Sequence, residues 1–364
     1  MSIISAELLP CAQRFTDTRW AFVRGPIAEL RGWLLRLSDE AGNVGVGYGH
    51  AMPTISTHGE GVKAGLEFLR PRLVGRDPFA VAEVMQDVDN ALAGQPSVKA
   101  AIDMALHDLG ARRLGIPLDV LLGGRRRSTI PQGRIVPLKA PAEMAEVARA
   151  LATEGFAMIK LKWSGDPDLD VARVAAVRQA VGPGVTLTLD ANQSYSAKTF
   201  IRTFARVESF DVALVEQPVP ASDWDGLALI TRTIPAAVEA DESAGSVDDV
   251  FRLVSDRVVD SINLKITKLG GIRKTLAAAT ICHAGGVSCR LGAAFGPSLL
   301  QAFSTHVAAV FPTLESPCEL SEHLHLTDDP FTPLPMKDGL IAVPTAIGCG
   351  IALQPAGASV EQST

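Results

Sequence analysis

The sequence predicts an α/β chain: an N-terminal α+β cap over residues 1–129, a (β/α)7β barrel over 130–320, and a tail, 321–364, that packs back on the cap. Three observations predict it. From residue 130 onward, short β-branched runs recur with helical stretches between them, the rhythm of a parallel sheet with crossover helices. Eight such runs and seven helical segments can be counted, and eight units normally close into a barrel. Before residue 130 the pattern is a strand meander followed by helices.

In the cap, Trp33–Leu37 and Val44–Tyr48 flank the turn-rich stretch Ser38–Asn43, which reads as a hairpin. Gly45, Gly47 and Gly49 could suggest a dinucleotide loop. No helix follows them and Pro53 comes soon after, so they mark a strand with close neighbours. From Gly59 to about Leu122 the apolar spacing is helical. Ala100–Leu109 predicts an amphipathic helix that stops near Gly115 and Pro117. The barrel runs are Ile135–Leu138, Met158–Lys162, Val185–Asp190, Val212–Glu216, Ala237–Asp241, Ile262–Ile266, Val287–Leu291 and Thr313–Glu315. No helix of matching length follows the eighth run, and the Pro- and Gly-rich tail is expected on the cap.

Composition narrows the function classes. With 364 residues, 47% hydrophobic and 20% charged, the chain can bury a large core without staples. The net charge is −6, and the one dense basic run, Arg125–Arg127, reads as a solvated loop between domains. A nucleic-acid partner is therefore not expected. No window approaches ~18 uninterrupted apolar residues, so no membrane span is expected. The five cysteines are odd in number and form no CxxC, and the N-terminus lacks a basic then apolar leader. Both features fit reduced thiols in a cytoplasmic protein.

Active sites of such barrels lie at the C-terminal ends of the strands. Lys160 and Lys162 end the second run, Asp190-Ala191-Asn192 the third, and Glu216-Gln217-Pro218 the fourth. Asp241-Glu242-Ser243 ends the fifth and Lys265 the sixth. Asp190, Glu216 and Asp241, spaced 26 and 25 residues apart, would repel one another in one mouth unless a cation sat between them. Their hard oxygens, completed by water and substrate, suit Mg²⁺. Lys160 and Lys162 share a face, because side chains along a strand alternate. Two ammonium groups beside a divalent cation lower each other's pKa, and a lysine so tuned can act as a base. Lys265 approaches from the opposite side of the mouth. A base on one face and an acid on the other is what inversion at carbon requires.

These residues, taken together, resemble the enolase superfamily and specifically its muconate-lactonizing subgroup. The K-x-K, D-A-N, E-Q-P, D-E-S and K-I-T-K-L-G-G segments stand in that order on the second to sixth runs. The stretch from Ala101–Leu109 through Leu121–Gly124 is similar to that family's cap helix, so the resemblance covers essentially the whole chain. It implies a modified TIM barrel with Mg²⁺ held by Asp190, Glu216 and Asp241. Lys162 and Lys265 would be the acid/base pair, and Lys160 would hold the substrate carboxylate and the ene-diolate charge. K-x-K, in place of K-x-H, separates the chain from the mandelate-racemase subgroup. Glu319, 54 residues after Lys265, stands where muconate-lactonizing enzymes carry a Glu after strand eight. The resemblance also implies a small-molecule carboxylate substrate and a homo-oligomer, dimer or octamer.

Two departures bear on the substrate. Where relatives often carry C-M-L-E-S, this chain has Cys289-Arg290-Leu291-Gly292. Arg290 either meets a second anionic group on the substrate or is salt-bridged outside the pocket. Leu314–Glu319 lacks the Asp-x-Asp with which dipeptide epimerases hold an ammonium group, which argues against a dipeptide. Further candidate contacts are Asn192, Glu319, Trp163 at the rim, and Trp20 and His50 on the cap loops Phe15–Gly25 and His50–Gly61. Phe22, Arg24, Met52 and His58 share those loops. The function expected first is a racemase or epimerase of an α-substituted acid or amino-acid derivative. A cycloisomerase or syn-dehydratase is the alternative. A non-catalytic scaffold is the third reading, although a scaffold has no use for an uncompensated acidic cluster.

Overall fold

Three antiparallel strands form the cap sheet in the order β1 (Ile3–Arg14), β2 (Glu29–Asp39), β3 (Val44–Gly49). This computed structural model describes residues 2–22, 25–52, 57–292 and 294–354. The expected hairpin forms, with Leu34 opposite Tyr48 and Leu37 opposite Gly45. Its turn is set by Asp39, whose Oδ1 accepts from the backbone N–H of Ala41 and of Asn43, both at 2.9 Å. Helices α1 (Gly59–Leu69), α2 (Val81–Ala91) and α3 (Pro96–Leu114) follow.

Helix α3 departs from expectation. It is not amphipathic with a wet face, because every residue from Ser97 to Ala111 is buried. The reason is that it packs between the two parts of the molecule. On one side it presses against β3, where a Cβ added to Gly47 would lie 1.9 Å from the Ala101 carbonyl oxygen. On the other side Asp103 Oδ1 accepts from the backbone N–H of Ile272, far along the barrel, at 2.7 Å. Its charged residues are paired rather than solvated, for example Lys99 with Asp89 at 2.8 Å and Asp108 with Arg112 at 2.9 Å.

The second part alternates strand and helix. Its strands are β5 (Gly133–Val136), β6 (Met158–Lys162), β7 (Thr186–Asp190), β8 (Val212–Glu216), β9 (Ala237–Ala240), β10 (Ser261–Leu264) and β11 (Ser288–Leu291). They form one parallel sheet in chain order. Helices α4 (Pro141–Thr153), α5 (Pro167–Val181), α6 (Ala197–Phe204), α7 (Trp224–Thr233) and α8 (Val247–Ser255) make the first five crossovers. The one-turn α9 (Ile266–Leu269) precedes α10 (Ile272–Gly285), and α11 (Ser298–Val310) follows β11. Alternation within strands separates the layers. Ile159 and Leu161 enter the main hydrophobic core, while Lys160 and Lys162 meet the charged groups inside the barrel.

Three runs are displaced, one of them the sixth, Ile262–Ile266, whose strand ends at Leu264 with Ile266 already in α9. Thr313–Glu315 forms no strand, and the eighth position is taken by Cys318 and Glu319, which bridge in parallel to Gln132 and Gly292. The expected run lies between Pro312 and Pro317, which lack the N–H a ladder needs. The first strand likewise ends before Pro137 instead of running to Leu138. The tail touches both parts. β13 (Leu340–Ala342) pairs with β12 (Met336–Lys337) and with β4 (Thr129–Pro131). Thr327 N–H donates to Arg14 O at 2.8 Å, and Leu118 N–H to Gly348 O at 2.8 Å, both in the cap.

Candidate active site

Each charged group of the site stands where a strand ends. On β6, the Lys162 ammonium donates to Asp190 Oδ2 at 2.5 Å and to Asn192 Oδ1 at 2.9 Å. Lys160, one layer deeper, reaches Glu216 Oε2 at 2.7 Å, Glu319 Oε2 at 3.0 Å and Asp190 Oδ2 at 3.1 Å. Across the mouth, Lys265 donates to Asp241 Oδ2 at 2.5 Å. Lys268, one helical turn later, donates to Asp241 Oδ1 at 2.6 Å. Asp190, Glu216 and Asp241 are all buried.

Electrostatics follow these partners. Burial pushes Asp190 upward, but Lys160 and Lys162 outweigh it and hold the carboxyl below the usual range. Asp241 is likewise held well below, by Lys265 and Lys268 against burial. Glu216 goes the other way: burial first, then repulsion from Asp190, raise it well above the usual range. Lys160 differs from the expectation that paired lysines lower each other. Burial lowers it, yet Asp190, Glu216 and Glu319 surround it and raise it well above the ordinary value.

Beneath these groups lies a floor that the sequence did not reveal. Arg290, on β11, is 1% exposed. Its Nε and Nη2 bond to Glu239 at 2.6–3.0 Å, its Nη2 to Glu216 Oε2 at 2.7 Å, and its Nη1 to Glu319 Oε1 at 2.5 Å. Arg290 thus links three buried acids that take up all its nitrogens, so of the two readings the salt bridge is the one seen, although beneath the site and not outside the pocket. Glu319 is held to about 2, because Arg290 and Lys160 outweigh its burial. Glu239 and Lys268 were missed. The available signals were Glu239 two residues before Asp241, hence on its face, and Lys268 one turn beyond Lys265.

The remaining candidates fall in different places. Asn192, with φ 41°, bonds to Lys162 at the mouth. His50, fully buried, is held at about 3 by burial and by the nearby charge of Lys265. Trp20 is buried in a ring cluster, 5.4 Å from Phe15, 5.4 Å from Phe295 and 4.4 Å from His325. Trp163 is not at the rim. It follows the outward phase of Ile159 and Leu161 and packs, fully buried, against Tyr195 and Phe200. Met52 is buried. His58 caps α1 through Gly61 N–H. Arg24 and the side chain of Phe22 lie outside the described residues.

Among the described residues, no three His, Cys, Asp or Glu side chains are grouped so as to hold a metal ion by themselves. Lysine and arginine groups engage the oxygens of Asp190, Glu216 and Asp241 instead. The donor chemistry nonetheless fits a hard divalent cation. Glu216 Oε1 is buried with no hydrogen-bond partner, a state that burial makes unfavourable without a cation or donor. Charge points the same way. If all were ionised, six carboxylates (Asp190, Glu216, Glu239, Asp241, Glu242, Glu319) would outnumber five cations (Lys160, Lys162, Lys265, Lys268, Arg290) by one, an excess that the raised Glu216 reflects and that a bound cation would offset.

Comparison with known proteins gives the family. A model described as enolase C-terminal domain-like matches residues 143–357. One for the mandelate racemase / muconate lactonizing enzyme N-terminal domain matches 22–123. The chain belongs to the enolase superfamily, in its muconate-lactonizing subgroup. This enolase-superfamily isomerase is 34% identical over 271 residues to a hydrophobic dipeptide epimerase of Enterococcus faecalis, covering 74% of this chain and 76% of the relative. It is 34% identical over 330 residues to a chloromuconate cycloisomerase of Cupriavidus necator, covering 86% of each. In structure it is similar to a dipeptide epimerase from Cytophaga hutchinsonii complexed with Mg and D-Ala-L-Val. That match has a TM-score of 0.94 at 27% identity and covers 98% of this chain and 97% of that one. Its superfamily fold and its site thus join a barrel, a set of acids and two opposed lysines, the equipment of epimerase, racemase or cycloisomerase chemistry.

Proposed function

We propose that this isomerase moves the proton next to a substrate carboxylate, as a Mg²⁺-dependent racemase or epimerase of a substituted carboxylic acid or amino-acid derivative. One observation carries the reading. Lys162 and Lys265 stand at the second and sixth of eight positions around the barrel, directly across the mouth, each bonded to a different acid. Asp190, Glu216 and Asp241 would hold the metal, which when bound supplies Lewis-acid polarisation of the substrate carboxylate. One lysine takes the α-proton from one face, and the other returns a proton to the opposite face. Lys160, kept charged by its three acids, offsets the charge of the ene-diolate. Asn192 orients Lys162, and neutral His50 adds no charge beside Lys265.

The likeness to a chloromuconate cycloisomerase favours a second reading, in which a single lysine does the proton transfer. Exchange in D₂O with Mg²⁺ separates the two, screened over N-acyl amino acids, proline derivatives, dipeptides and muconates. A racemase or epimerase places deuterium at the α-carbon of both isomers. Lys162→Ala and Lys265→Ala then each lose exchange with one isomer, by about 10²- to 10⁴-fold. Dependence on one lysine alone selects the cycloisomerase, and no Mg²⁺-dependent exchange with any acid overturns the proposal.

A further inference from the structure

We infer that Lys268 is the positioning residue of the third acid, a fixed cation that holds Asp241 from behind and leaves Asp241 Oδ2 and Lys265 for the chemistry. The inference rests on the reading of Asp241 as a metal ligand and of Lys265 as a proton carrier. An ammonium group has three N–H donors. Those of Lys268 have three acceptors: Asp241 Oδ1 at 2.6 Å, Asp241 O at 2.5 Å and Asn263 O at 2.9 Å. Main chain and side chain of one acid are thereby fixed by one group. Lys265, by contrast, makes a single hydrogen bond among the described residues, to Asp241 Oδ2. The saturated lysine is static, and the other keeps donors for a substrate.

The chain is shaped to produce this difference. Helix α9 is one turn long and ends at Gly270, with φ 87°, followed by Gly271, with φ 131°. A Cβ on Gly271 would lie 2.6 Å from Asp103 Cγ, so the cap helix α3 holds the end of that turn. On its far side Lys268 borders a cavity of about 330 Å³, lined also by Gly94, Pro96 and Lys99 of the cap and by Ser246 and Gly270. Truncating Lys268 would therefore join this cavity to the back of Asp241.

That geometry supplies the test. Lys268→Ala removes the atoms of one propylammonium ion, and the cavity gives that ion a route. With Mn²⁺ as the probe, followed by electron paramagnetic resonance, K268A is expected to bind about 10- to 100-fold more weakly, the usual effect of removing a group that orients a ligand. Propylammonium should restore both binding and deuterium exchange, and propanol neither. Lys268→Met, which keeps the stem, should show the same weakening without rescue, and covers the case in which K268A does not fold. If wild type binds Mn²⁺ and both variants bind it equally with full exchange, the inference is overturned. If wild type itself binds no Mn²⁺, the reading of Asp241 falls first.

Discussion

The mouth and the floor of the barrel use the same residue types to opposite ends. At the mouth, Lys162 bonds to Asp190 and Lys265 to Asp241, in each case the acid at the end of the neighbouring strand. On the floor, Arg290 engages three carboxylates and Lys160 three, with two of them, Glu216 and Glu319, shared. The number of partners per cation decides the role. A cation whose donors are all taken by buried acids is held in place, as Lys160 and Arg290 are. Lys265, although against burial Asp241 and Glu216 raise it too, makes one hydrogen bond among the described residues and keeps donors for a ligand. Buried ion networks of this kind add little net stability, since desolvation offsets much of their attraction, yet removing one member leaves the others unpaired.

Glu216 joins the two layers, so it gives the sharpest test. Its Oε2 belongs to the floor through Lys160 and Arg290, and its Oε1 has no hydrogen-bond partner. Glu216→Gln keeps the shape and removes the charge. Loss of Mn²⁺ binding by at least about tenfold, with no measurable deuterium exchange, is the expected outcome. An E216Q variant that still turned over would place Glu216 wholly in the floor.

Arg290→Met tests the floor itself. It leaves Glu239, Glu216 and Glu319 without their shared cation, and removing one member of a buried network destabilises by about 3–5 kcal/mol. Urea unfolding should show that loss. Were stability unchanged and only exchange lost, Arg290 would belong to the chemistry and the contrast between layers would fail.

What the sequence could reveal follows the same division. The barrel rhythm and the strand-end acids were legible because period-two alternation and crossover spacing are local signals. Thr313–Glu315 was misplaced because its composition says strand, while two flanking prolines and the needs of closure put the eighth position at Cys318–Glu319. Helix α3 looked amphipathic because no local pattern tells that both of its faces are covered. Arg290 stayed ambiguous for a related reason. Its partners Glu216, Glu239 and Glu319 lie 29 to 74 residues away, and only closure of the barrel brings them together.

The smallest expected effect sharpens the rule that partners decide. Glu319 and Glu322 are three residues apart and both buried, yet Glu319 is held at about 2 while burial lifts Glu322 to about 7. Glu319 has Arg290 and Lys160 on its oxygens. Both oxygens of Glu322 lack a hydrogen-bond partner among the described residues, and His325 Nε2 stands 3.7 Å away. Below its ordinary value of 4.5, Glu322 is protonated both folded and unfolded and adds no pH dependence. Between 4.5 and about 7 the unfolded chain has released the proton and the folded one keeps it, so stability falls as pH rises, and it levels off above. At ~1.4 kcal/mol per pH unit the fall is about 3 kcal/mol. Glu322→Gln is neutral throughout, so its stability relative to wild type should climb by that amount between pH 4.5 and 7 in urea unfolding. A difference that stayed constant with pH would mean that Glu322 finds a cation after all, and that burial without a partner is not what separates it from Glu319.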